Sequence, residues 1–116
     1  MSNIAELNKK LDDGILSGKA MEVFEELYDE NVVMQENTEP EYRGKDFNRK
    51  RELEFMASVE AWHSARVLTS ATAGNVSFSE SEADLSIKGV GRITMTQVAV
   101  RQWRDGKVVH ERFYHK

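Results

Sequence analysis

Chemistry in this chain concentrates in its last quarter, Arg92 to His115, where Gln97, Arg101 and Glu111 fall on two β-prone runs around Asp105-Gly106. An Asp-Gly pair between such runs is a strong hairpin signal. With Arg104-Asp105-Gly106 as a three-residue loop, Trp103 pairs with Lys107, Arg101 faces Val109, Ala99 faces Glu111 and Gln97 faces Phe113. One face then carries Gln97, Ala99, Arg101, Val109, Glu111 and Phe113, and the other Val98, Val100, His110, Arg112 and Tyr114. A strict two-residue turn moves the pairing by one and regroups these sets. On a cavity wall beside Phe113, Glu111 would be partly desolvated, which raises a carboxyl toward a useful general-base pKa. Arg101 could instead hold it ionised in a structural ion pair. Gln97 could orient a carbonyl or a water.

Other candidates are weaker. Glu80 and Glu82 share a strand face with Phe78 and Asp84; such a face meets solvent, or it sets two acids in one cavity where like charges raise a pKa. Glu36 ends a short extended piece and has the same two readings. Tyr28, Met34, Phe55 and Trp62 are expected to wall a pocket, a role that plain core packing fills equally well. His63, His110 and His115 lack metal-ligand spacing, so no metal is expected. No glycine-rich phosphate loop is present, so no nucleotide cofactor is implied.

The elements that must position these residues can be read from periodicity. Asn3 with Glu6 forms a capping box opening a helix with Ile4, Leu7, Leu11 and Ile15 on one stripe and Asp12 off it. Gly14 weakens its last turn and Ser17-Gly18 ends it. A second helix runs from about Lys19 to Asp29. Val32 to Glu36 is extended but too poor in apolar residues for a central strand, so it reads as a rim closed by Pro40. A third helix is expected from Lys45 to Ala61, capped by Asp46, its basic first half either a solvated face or an anion-binding rim. From Trp62 the period becomes two. Trp62 to Ala73, Val76 to Ile87, Ile93 to Trp103 and Lys107 to His115 make a four-strand antiparallel meander, long enough to curl.

Composition excludes several classes. The 116 residues are 40% apolar and 31% charged with a net charge of −4, which suits one globular domain and argues against a broad nucleic-acid surface. Having no cysteine removes disulfides and thiolate chemistry. The first residues lack a signal-peptide core and no segment approaches the ~20 apolar residues of a membrane span; a cytoplasmic location is the expectation.

Three segments carry a family resemblance: Phe24-Glu-Glu-Leu-Tyr-Asp-Glu-Asn-Val-Val33, Tyr42-Arg-Gly-Lys-Asp46, and Val98-Ala-Val-Arg-Gln-Trp-Arg-Asp-Gly-Lys-Val-Val109. With the order of elements, the whole chain 1–116 resembles the SnoaL-like branch of the nuclear-transport-factor-2-like superfamily. The resemblance implies a cone-like α+β barrel, three N-terminal helices on the concave face of a strongly curved, mostly antiparallel sheet, and an internal pocket. It also implies frequent homodimers through the outer sheet face. Pocket groups of the family fall at Ala99, Glu111 and Phe113, which favours the three-residue loop. SnoaL-like cyclases tend to place His-Trp-Asp, with Asp as base, where this chain has Glu111-Arg112-Phe113, and an acid where it has Ala99. The expectation is therefore a pocket for a small apolar or aromatic molecule. The alternatives are a cofactor-free isomerase, hydratase or cyclase with Glu111 as base, and a dimeric interaction module whose pocket is vestigial.

Overall fold

The computed structural model describes residues 3–116. Helix α1 (Ile4–Leu16) begins where the Asn3 side chain accepts from the backbone N–H groups of Ala5 and Glu6, at 2.9 and 3.4 Å. Helix α2 (Ala20–Leu27) buries Val23, Phe24 and Leu27. Between them Gly14 matters for space rather than flexibility: a Cβ added there would lie 2.3 Å from Val23 Cγ1. The missing side chain lets the two helices approach closely.

Strand β1 (Tyr28–Glu36) follows without a loop, then the two-residue β2 (Tyr42–Arg43) and helix α3 (Lys45–Ser58). Strands β3 (Val59–Ala73), β4 (Val76–Ile87), β5 (Gly91–Arg104) and β6 (Lys107–His115) complete the chain. The six strands form one sheet in the order β2-β1-β6-β5-β4-β3. Only the β1–β6 pairing is parallel. The result is the expected α+β architecture, a curved mixed sheet with helices packed against it in a cone-like fold. Strand β3 is the far edge, and its register against β4 is broken between Val59 and Ala61, Trp62 and Ser64, and Val67 and Thr69.

Three expectations need correction. Segment 32–36 is no rim: β1 pairs with β2 on one side and β6 on the other, and Val32 and Met34 are fully buried. Alternation needs only every second residue to be apolar, so two sufficed. Helix α3 stops at Ser58, because Val59 already enters β3. Its first turn follows Gly44, with no side-chain cap from Asp46, and Phe47 and Leu53 stay half exposed. What seats this helix is polar: buried Asn48 donates to the carbonyls of Tyr42 and Gly44 at 2.9 and 2.8 Å. Lys45 donates to the Glu25 carbonyl at 2.8 Å, and Arg49 pairs with Glu25 and Asp46. The basic first half of α3 is thus spent largely on neighbouring acids and carbonyls.

The hairpin is the third correction. Asp105 and Gly106 both have positive φ, 52° and 75°, the signature of a two-residue primed turn, and Arg104 pairs with Lys107. A bulge follows at once. Trp103 pairs with Val108 and Gln102 with His110, leaving Val109 as the extra residue. Burial of both Trp103 and Val108 together with an inward Glu111 requires that odd residue, since strict alternation would turn one of them outward.

Gly14→Ala should destabilise the fold by about 1–3 kcal/mol through overpacking, although alanine is the better helix former by about 1 kcal/mol. Denaturant unfolding checks this, and adding Val23→Ala should recover much of the loss. A Gly14→Ala protein more stable than the parent would refute the close-packing account.

Candidate functional site

The bulge sets Arg101 directly opposite Glu111, and both side chains turn under the helices. Arg101 Nε donates to Glu111 Oε2 at 2.7 Å, and Nη1 donates to Asp12 Oδ1 at 2.8 Å and to Asn8 Oδ1 at 2.7 Å. The guanidinium therefore joins two carboxylates from different layers, α1 and β6. Asn8 and Asp12 lie one turn apart on α1. Both side chains also meet β4: Ser79 donates to Asp12 Oδ2 at 2.6 Å and accepts from Asn8 Nδ2 at 2.8 Å, while Ser77 donates a second hydrogen bond to Asn8 Oδ1 at 2.9 Å. Trp103 Nε1 donates to Ser77 at 2.8 Å. On the other side Tyr28, the first residue of β1, donates its hydroxyl to Glu111 Oε2 at 2.7 Å.

Every member of this network is buried. Among the described residues, one fully buried side-chain polar atom is left without a partner: Glu111 Oε1. Such an orphan in a satisfied network calls for an explanation.

The electrostatics follow from the packing. Burial opposes the charge on Arg101, yet Glu111, Tyr28 and Asp12 around it keep the guanidinium protonated. Burial and the Glu111 charge push the Tyr28 phenol well above its usual range, so it stays a donor. Glu52, on α3, has no hydrogen bond or ion pair among the described residues. Its carboxyl is pushed up to about 7, first by burial and then by the Glu111 charge, with Arg51 opposing.

These groups border a cavity of about 500 Å³ between helices and sheet. Glu111, Arg101, Asp12 and Tyr28 lie at its polar end, and Glu52 borders it from α3. Apolar and small side chains make up most of the remainder, among them Phe24, Met21, Ala83 and Met95. Of the residues singled out from sequence, Tyr28, Phe55, Trp62, Glu82 and Gln97 border this cavity, as do Ala99, Arg101, Glu111 and Phe113.

Four others lie elsewhere. Met34 packs in the core with Phe24, Leu27 and Trp103. Glu36 pairs with His115 at 2.8 Å at the end of β1. Glu80 sits opposite Val98 and Thr69, outside the inward series Ser77, Ser79, Ser81. Val109 is the bulge residue, which removes it from the inward face. Glu82 touches the cavity, but its carboxylate reaches Arg66 at 3.4 Å on the exposed side.

Sequence reading missed Asn8, Asp12 and Glu52. The first two carried a usable signal, polar residues at i and i+4 flanking Leu7 and Leu11; Glu52 carried none among the charges of α3. No group of three or more His, Asp or Glu among the described residues is placed to hold a metal ion. No described helix is long and apolar enough to cross a membrane.

Fold and site together mark a cone-like α+β fold with a cavity between helices and sheet, and comparison with known proteins agrees on the fold. Residues 3–115 match the SnoaL-like domain model, and the chain belongs to that family. A Mesorhizobium loti protein named as a SnoaL-like polyketide cyclase superposes with a TM-score of 0.88 at 24% identity, over 97% of this chain and 99% of that one. An LEH-like epoxide hydrolase of M. tuberculosis gives 0.78 at 13% identity, over 97% and 82%. A Rhodopseudomonas palustris protein named as an isomerase gives 0.76 at 12%, over 100% and 91%. At these identities the likeness is one of fold. No curated protein sequence matches the chain.

Glu52 sets a pH dependence. A carboxyl raised in the folded state stabilises nothing: native protein holds its proton more tightly than unfolded chain, so stability falls as pH rises from the unfolded value toward about 7. Glu52→Gln should therefore stabilise the protein at pH 8, by on the order of 1–3 kcal/mol, and leave it nearly unchanged near pH 4. Urea unfolding across pH measures it; parallel curves for variant and parent would refute the assignment.

Proposed function

We propose that the protein binds a small, largely apolar molecule in this cavity, with one polar group of the ligand directed at Glu111 Oε1. The observation that carries the reading is a cavity of about 500 Å³ bordered by Glu111, whose buried Oε1 has no hydrogen-bond partner. Pockets that take small molecules combine apolar walls with a few fixed polar groups. An open cavity of this size speaks against a vestigial pocket filled by its own side chains.

A second reading, cofactor-free proton transfer of the isomerase, hydratase or cyclase kind, is favoured by the Glu52 carboxyl at about 7. That value suits a group that both gives and takes a proton near neutrality. In this reading Glu111, whose Oε2 is committed to Tyr28 and Arg101, anchors the substrate instead of acting as base. Glu52 then moves the proton.

Association of two copies through the outer sheet face belongs to the same proposal. Phe78 and Tyr114 are half exposed there, on strands that pair with those of Val98 and Val100.

The pocket reading is tested with 1-naphthalenemethanol as a neutral apolar probe, followed by calorimetry. Ala99→Phe, which projects a ring into the cavity beside Phe113, should weaken binding by about tenfold or more, about 1.4 kcal/mol, while the circular dichroism spectrum stays that of the parent. Unchanged affinity in that variant would move the ligand elsewhere. Light scattering at tens of micromolar should give the mass of two chains, and a monomer would remove the dimer proposal.

A further inference from the structure

The charges around the cavity do not balance, and the imbalance selects a ligand. Arg101 is the only Lys or Arg among the lining residues, and it is already shared between Asp12 and Glu111. Glu52 adds a third carboxyl facing the same space, without a partner among the described residues. An anionic ligand would therefore meet two or three acids and one cation already engaged. A neutral ligand would satisfy Glu111 Oε1 with a single donor and leave Glu52 unanswered.

Resting on the small-molecule reading above, we propose that the natural ligand is an amine, a protonated primary or secondary nitrogen on a compact apolar or aromatic frame. Its ammonium lies between Glu111 Oε1 and Glu52, and its hydrocarbon lies against Phe24, Phe55, Trp62 and Phe113. An ammonium brings two or three N–H donors and one positive charge. It thus supplies the missing donor to the orphaned oxygen and the missing countercharge to Glu52. The aromatic walls suit such a group as well, since a cation is attracted to ring faces. Removal from water is costly for any ion unless it is paired and hydrogen-bonded, and here both partners are waiting.

The proposal has a proton signature. The charged groups that bear on Glu52 are Glu111 from β6, Glu36 from β1 and Arg51 from its own helix. Asp12 from α1, Arg101 from β5, Glu82 from β4 and His63 from β3 complete the charged or titratable side chains bordering the space, with Tyr28 from β1. A bound cation favours the ionised form of Glu52. Amine binding near neutral pH must therefore release part of a proton, and binding must weaken toward pH 5, where Glu52 is protonated and the amine is still charged.

The experiment compares three isosteric probes on the full chain by calorimetry: 1-naphthylmethylamine, 1-naphthalenemethanol and 1-naphthoate. At pH 7.5 the amine should bind about tenfold or more tighter than the alcohol, and the carboxylate weakest. Buffers of different ionisation heat should register proton release for the amine alone. In Glu52→Gln the amine's advantage over the alcohol should fall below about threefold and the proton release should vanish. Alcohol or carboxylate binding as tightly as the amine would overturn the proposal and leave the small-molecule pocket standing. Failure of all three to bind would overturn both. An amine preference that survives intact in Glu52→Gln would overturn the part assigned to Glu52.

Discussion

The structure depends on one buried cation. Arg101 ties α1 to the middle of the sheet through charge, reaching Asp12 on one side and Glu111 on the other. Three ions taken out of water together are costly, and the arrangement holds only because nearly every donor and acceptor around it is matched. Ser77, Ser79, Asn8, Tyr28 and Trp103 do that matching. Removing one partner from such a set costs about 3–5 kcal/mol, because a buried charge is left uncompensated. The network therefore fixes where α1 sits over the sheet, and with it where the pocket ends.

What remains open above that network is open for steric reasons. The inward positions of β4 and β5 nearest to it hold Ser77, Ser79, Ser81, Ala83 and Ala99, all small. Helix α3 brings Phe55 and Met56 to the cavity wall, while its Phe47 and Leu53 stay half exposed. Small residues on the sheet and a polar-seated helix leave space that a fully apolar helix and large strand residues would have closed. The same economy of bulk lets Glu52 border the cavity without a neighbour to neutralise it.

Much of this was legible in the sequence, for identifiable reasons. The Asp105-Gly106 turn, the long alternating strands and the family resemblance fixed the architecture, and period-two spacing put Ala99, Arg101, Glu111 and Phe113 on one face. The direct opposition of Arg101 and Glu111 was not legible. It depends on the bulge at Val109, which exists because Trp103 and Val108 are both drawn into the core, a tertiary demand that outweighs local alternation. Strand β1 was underrated because its apolar residues are few, though they are the ones that face inward. Glu52 was hidden by its neighbours Arg51, Leu53 and Glu54, among which no stripe distinguishes a pocket-facing acid from a solvated one. Asp12 looked like surface because it stands one residue off the Leu7–Leu11 line, yet in α1 that neighbouring line is also covered.

The irregular register of β3 has a consequence beyond shaping the cone. This strand is the sheet's long free edge, fifteen residues with almost every side chain exposed, and an edge of that length is an invitation for another chain to add a strand. Three breaks in its pairing with β4 interrupt the flat row of backbone donors and acceptors that such addition needs. His63 and Arg66 add bulk and charge along it. The kinks that bend β3 around the pocket also guard the protein against strand-to-strand aggregation.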